Sequence, residues 1–148
     1  MEKDLAGCID LPGVKGAFVC DNAGEVVASS TPAPLATDSM ASLGREVIRT
    51  LSAFQAAGRH GVTVHFEFNS WTLHARDIDG HGVLVMLAEP GADDALLRIT
   101  AEITTLNWSE DKKVLKQLDK RNADRRHLVT RASVDEVSRR SWAAFAGA

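Results

Sequence analysis

His65 and His74 stand nine positions apart, on either side of a stretch that alternates, turns and alternates again. Folded back as a hairpin, that stretch sets the two imidazoles opposite each other, with Glu67 on the same strand face. Such a group could ligate a transition metal or titrate near neutral pH. Two imidazoles on an open sheet face also occur as ordinary solvated side chains, and no metal site is assigned to them. Arg45 and Arg49 sit one helical turn apart on a polar helix side, where they could meet an acidic partner or offer a positive charge to a phosphoryl-transfer site in another protein. A plainly solvated helix face explains them as well. Asp77 and Asp79 flank a turn, and Asp93 and Asp94 open a helix, where a carboxylate stabilises the helix dipole without doing chemistry. Cys8 and Cys20 are too far apart for a CxxC motif and too few for a disulfide framework, so both are expected reduced, Cys20 as a small core residue. No GxxxxGK[ST], GxGxxG, GxSxG or HExxH occurs. The sequence therefore assigns no catalytic residue, no metal and no cofactor, and predicts a protein that is not an enzyme.

Composition bounds what can hold these residues. A chain of 148 residues with 45% apolar and 25% charged residues can bury one core without disulfides or metal. Its net charge of −3 is unevenly spread. Residues 1–108 carry 7 basic against 14 acidic groups and residues 109–148 carry 10 against 6, so a core of −7 is followed by a segment of +4. The expected division is a domain over 1–108 and a basic, partly helical C-terminal tail over 109–148. In that tail the basic residues alternate with acids and lack a stacking pattern, so nucleic acid is not indicated. No apolar run approaches a membrane span, and the acidic start lacks the regions of a signal peptide, so neither membrane insertion nor export is expected and a cytoplasmic location follows.

The positioning elements can be read from period and punctuation. Val14 to Cys20 is almost wholly apolar, Asp21-Asn22-Ala23-Gly24 is turn chemistry, and Glu25 to Ala28 resumes a strand. After Thr31-Pro32-Ala33-Pro34 a helix starts at Thr37 or Asp38 and stops at Gly58, with Met40, Leu43, Val47, Leu51 and Phe54 as its apolar stripe. Beside the stripe runs a flank of Ala41, Gly44, Ile48 and Ser52. Its small residues would let a second helix approach closely or fit under a loop of the same chain. Val62 to Asn69 alternates as a half-buried strand, and a turn at Asn69-Ser70 sets Phe68 opposite Trp71, Phe66 opposite Leu73 and His65 opposite His74. Val83 to Ala88 is apolar at every position, as a strand covered on both faces must be. A helix from Asp93 or Asp94 to about Asn107 is expected to face the sheet with Leu96, Ile99, Ile103 and Leu106. Ser109 opens a shorter helix, Arg121 to Arg126 reads as a hinge, and Ser133 with Glu136 caps a last helix carrying Val134, Val137, Trp142 and Phe145. Short connections make the sheet antiparallel, and helices on both faces give an α+β, three-layer α/β/α sandwich.

Three stretches, "GVKGAFVCDNAGEVVASS", the long helix, and "GVTVHFEFNSWTLHARDIDGHGVLVMLAEPGADDALLRITAEI", together resemble a Roadblock/LC7 domain across residues 11 to 107. Members usually begin with a fuller helix than Glu2 to Asp10 allows. The resemblance implies a profilin-like five-stranded sheet, dimerisation through an edge strand and the crossover helix, and a platform for Ras-like small GTPases or for motor complexes. In bacteria, similar domains regulate partner GTPases, and the Arg- and Ala-rich composition leans the same way. Independently of the family, Val62 to Phe68 is a long, Pro-free strand at one end of the strand order, an edge that invites pairing with a copy of itself.

The expected homodimer interface is therefore Ala41, Gly44, Ile48 and Ser52 from the helix flank with Val62, Thr63, Val64, His65, Phe66 and Glu67 from the strand. The expected partner surface, for a Ras-like small GTPase, is Arg45 and Arg49 with Arg139, Arg140, Trp142 and Phe145 of the tail. A ligand-sensing module and a motor-complex light chain are the alternatives. The first needs a roomy pocket between sheet and helix, which the bulky stripe of the crossover helix would fill.

Overall fold

The computed structural model describes residues 1–30, 37–59, 62–68 and 70–128. Its elements run α1 (Glu2–Ile9), β1 (Val14–Cys20), β2 (Val26–Ser30), α2 (Thr37–Ala56), β3 (Thr63–Glu67), β4 (Thr72–Asp77), β5 (Val83–Ala88), α3 (Asp94–Glu110) and α4 (Lys112–Leu128). The five strands form one antiparallel sheet in the order β2-β1-β5-β4-β3. The β2-to-β3 connection thus carries the chain from one edge to the other, with α2 as the crossover.

Both faces of the sheet are covered, because the central strands alternate two apolar sets. Phe18 and Cys20 of β1 with Val83, Val85 and Leu87 of β5 pack under Met40, Val47 and Leu51 of α2. Ala17 and Val19 with Leu84, Met86 and Ala88 pack against Leu5 and Cys8 of α1, Leu97, Ala101 and Trp108 of α3, and Val114 and Leu118 of α4. Strand β5 is buried along its whole length, as its unbroken apolar run requires. The three-layer α+β sandwich expected from the sequence is the fold observed. The short α1 is docked through Leu5 and Cys8, and the Trp108 indole N–H donates to Asp4 Oδ2 at 2.8 Å.

One pair of glycines ties α2 to the first hairpin. Gly24 lies in the β1–β2 turn with φ +85°, and a Cβ there would come within 2.7 Å of the Arg45 nitrogen. A Cβ on Gly44 would come within 2.4 Å of the Gly24 carbonyl oxygen. Backbone meets backbone, so neither position accepts a side chain without a shift.

Two expectations are corrected. On α3 the residues turned to the sheet are Leu97, Ala101, Thr105 and Trp108, whereas Leu96, Ile99, Ile103 and Leu106 are 38% to 57% exposed. At about 100° per residue the two sets lie on nearly opposite sides of the helix. The sheet side takes Ala101 and Thr105 between the larger Leu97 and Trp108, and the buried Thr105 hydroxyl is satisfied by the Ala101 carbonyl at 2.8 Å. The second correction concerns the segment after residue 108. α3 continues to Glu110, and α4 is docked: Val114 and Leu118 are core residues, Asn122 Oδ1 accepts from Asn22 N–H at 3.1 Å, and Asn122 Nδ2 donates to the His81 carbonyl at 3.0 Å. Arg121, expected in a hinge, donates to the Val26 carbonyl at 3.1 Å from within a continuous helix.

Candidate functional site

Strand β3 is an edge, and its pairing fixes what it offers. Phe68 N–H donates to the Trp71 carbonyl at 2.9 Å, so that pair exchanges backbone hydrogen bonds. Alternation then makes Phe66–Leu73 and Val64–Ala75 hydrogen-bonded pairs and leaves Glu67–Thr72, His65–His74 and Thr63–Arg76 as non-bonded pairs. The backbone N–H and C=O groups of Thr63, His65 and Glu67 therefore point away from β4, toward the open side. Among the expected edge side chains, Val64 is buried beneath α2 and Val62 and Phe66 are half-buried in the same cluster. What the edge presents is mainly its backbone, with His65 and Glu67 exposed beside it.

The helix flank is divided. Gly44 is taken up by the Gly24 turn of its own chain, so its small size serves an internal contact. Ile48 and Ala41 are half-buried, Ile48 against the α2-side core, and Ser52 is exposed. Arg45 and Arg49 stay on the outer side of α2, Arg45 donating to Ser42 Oγ at 3.3 Å and Arg49 facing Glu46 at 3.6 Å across solvent. An exposed pair of that kind contributes little and leaves the guanidinium available. Arg139, Arg140, Trp142 and Phe145 lie outside the described residues. The exposed α3 face of Leu96, Ile99, Ile103 and Leu106 is a surface where the sequence pattern pointed to core. Phe68 is exposed too and stacks on Trp71, ring centroids 4.2 Å apart.

On the α3 side of the sheet the histidines meet as their register requires. Non-bonded pairs bring side chains closest, and the His65 and His74 rings stack with centroids 4.4 Å apart. The acid that joins them comes from α3: Asp94 Oδ1 lies 3.4 Å from His65 Nδ1 and 3.5 Å from His74 Nδ1. His74 is buried, whereas His65 and Asp94 reach solvent. Burial pushes the His74 pKa below its ordinary value, the neighbouring His65 adds to that, and Asp94 pulls the other way. The Thr72 hydroxyl contacts His74 Nε2 at 3.4 Å and the Ala88 carbonyl at 3.5 Å. Asp94 escaped the sequence reading because it is twenty positions from His74 and already had an explanation at a helix start. The signal that could have found it is the short β5–α3 connection, which must return the first turn of α3 over β4.

A concavity of about 550 Å³ opens beside Gln55, Arg76, Asp77, Glu102, Thr105 and Ser109. Charged and polar side chains line it together with Leu106, and it opens at the surface rather than between the crossover helix and the sheet core. No helix among the described residues is long and apolar enough to cross a membrane.

No family model and no curated protein matches the sequence. Solved structures do. The Roadblock/LC7 domain from Streptomyces avermitilis superposes with a TM-score of 0.63 at 19% identity, over 72% of this chain and 92% of that one. The gliding protein MglB from Thermus thermophilus gives 0.61 at 16% identity, over 80% and 87%. Myxococcus xanthus MglB gives 0.58 at 14%, over 74% and 88%. At such identities the likeness is one of fold.

Proposed function

From the Roadblock/LC7 fold that this chain has, we propose that it is a regulatory, non-enzymatic interaction domain that pairs with a second copy of itself and binds a Ras-like small GTPase. The observation that carries this reading is the coexistence of an open β3 edge with an outward apolar face on α3. A protein that needs neither would cover the first and make the second polar. Pairing β3 with its two-fold copy satisfies the outward backbone groups of Thr63, His65 and Glu67, each hydrogen bond contributing about 1 kcal/mol net. Five-residue strands alone make a weak dimer, so the surface part of the α2 flank, Ile48 and Ser52, joins the contact. The GTPase surface is the outward face of α3, Ile99, Ile103 and Leu106, whereas Arg45 and Arg49 lie on the α2 layer across the sheet and are not part of it. Residues Arg139, Arg140, Trp142 and Phe145 would strengthen that binding by tethering.

Two measurements on the full chain test this. Light scattering should give the mass of two chains, falling to one for Glu67→Pro, which removes an outward N–H and leaves the ladder to β4 intact. A dimer unaffected by that change moves the interface off the edge. A candidate Ras-like GTPase, loaded with GDP or with a non-hydrolysable GTP analogue, should bind the two states with different affinity, since its switch loops differ between them. Ile103→Glu should weaken binding roughly tenfold or more, as loss of a central apolar contact does. Equal affinity for the two nucleotide states excludes a regulator of the switch, because equal binding shifts no equilibrium.

A further inference from the structure

We propose that His65, His74 and Asp94 together bind one divalent transition-metal ion of zinc's class, with water completing the coordination. This site does not depend on GTPase binding. Three ligand atoms from β3, β4 and the first turn of α3 already lie within 4.8 Å of one another. Two of their separations, 3.4 Å and 3.5 Å, match the edge of a tetrahedron with metal–ligand bonds of about 2.0–2.1 Å, which is about 3.3–3.4 Å. An octahedral ion with such bonds would need cis ligands only about 2.9 Å apart, and a calcium-type ion would want more oxygen than one carboxylate supplies.

The polarity of the cluster points the same way. The Thr72 hydroxyl lies 3.4 Å from His74 Nε2 and 3.5 Å from the Ala88 carbonyl, so Thr72 holds the ring on its Nε2 side. With its proton on Nε2, His74 turns the Nδ1 lone pair toward Asp94. Holding a metal-ligating imidazole through its other N–H is what outer-shell partners do. The buried ring sets Nδ1 3.5 Å from a carboxylate oxygen. In that tautomer two acceptors face each other, and a cation between them turns a repulsive contact into an attractive one. The rings are stacked at an interplanar angle of 27°, so their lone pairs converge only after one ring turns. His65, on the edge strand and open to solvent, is the ring free to do so. Bound metal would clamp the β3–β4 hairpin to the start of α3.

Titration of the full chain with Co²⁺, whose visible absorption reports tetrahedral coordination, tests this directly. The expected result is an intense tetrahedral-type band that saturates at one ion per chain and is displaced by Zn²⁺. Asp94→Asn and His65→Gln, both at the surface, should each weaken binding by more than about tenfold, the loss that even an outer-shell change produces. His81→Gln, whose ring pairs with Asp119 on α4 instead, should leave affinity unchanged. Zn²⁺ should raise the melting temperature of the parent and of His81→Gln but not of the two ligand variants. Absence of the tetrahedral band at micromolar protein and stoichiometric metal overturns the proposal. So does equal affinity of the parent, Asp94→Asn and His65→Gln.

Discussion

A thiol deprived of water and set beside a carboxylate ionises late. Cys20 ends β1 inside the α2-side core, and burial, followed by the adjacent Asp21, pushes its pKa up to about 12. Burial also raises Cys8 on the opposite face. A folded-state value above the unfolded one means that stability is complete below pH 9, where both states keep the proton. It is lost as pH rises through the window from about 9 to about 12, because the unfolded chain sheds that proton first. Cys20 alone should therefore cost about 1.4 kcal/mol of unfolding free energy at pH 10 relative to pH 8. Urea unfolding of the parent and of Cys20→Ala at the two pH values measures the difference, and identical pH dependence in both would refute the buried thiol as its source. At this scale the sequence disclosed Cys20 as core and the facing of His65 and His74, since both depend only on strand period and register. It did not disclose Asp94, because a contact between β4 and the start of α3 is set by how helix and sheet pack, which no local period encodes.

The elements were legible where one alternation or one stripe decides. β1 and β5 occupy the expected spans, the β3–β4 register pairs Phe66 with Leu73 and His65 with His74, and α2 stops before Gly58, whose positive φ lets Arg59 N–H reach the Phe54 carbonyl at 2.9 Å. The sequence of α3 contains two stripes, and the one made wholly of Leu and Ile faces outward. Large side chains in a helical period indicate an apolar face without saying whether it meets the sheet of its own chain. Gly44 allows a test in which two effects have opposite sign. In an ordinary helix interior Gly→Ala gains about 1 kcal/mol. Here the added methyl would sit 2.4 Å from the Gly24 carbonyl oxygen, so α2 must move, at a cost of about 1 to 3 kcal/mol. Gly44→Ala should come out less stable than the parent in chemical denaturation, and a more stable variant would show that the helix does not abut the turn.

At the scale of the molecule, the change in charge near Trp108 is a change in surface and not in packing. Lys112, Lys113, Lys116, Lys120 and Arg121 face water while Val114 and Leu118 complete the core beneath them, with Leu118 against Gly82. Burying those two side chains contributes about 3 to 6 kcal/mol, which is most of the stability of a marginal domain. A chain ending at Glu110 should lose its cooperative melt or melt far below the full chain, whereas one ending after Leu128 should keep it. A shorter chain with an unshifted transition would restore the domain boundary at 108. α4 also bonds to Asn22, His81 and Val26, around the β1–β2 and β4–β5 turns at one end of the sheet, while the β3–β4 hairpin tip lies at the other. α4 thus fastens the turns at one end of the sheet. Opening that end means giving up core contacts on several elements. The far turns thereby hold still the frame that carries the β3 edge.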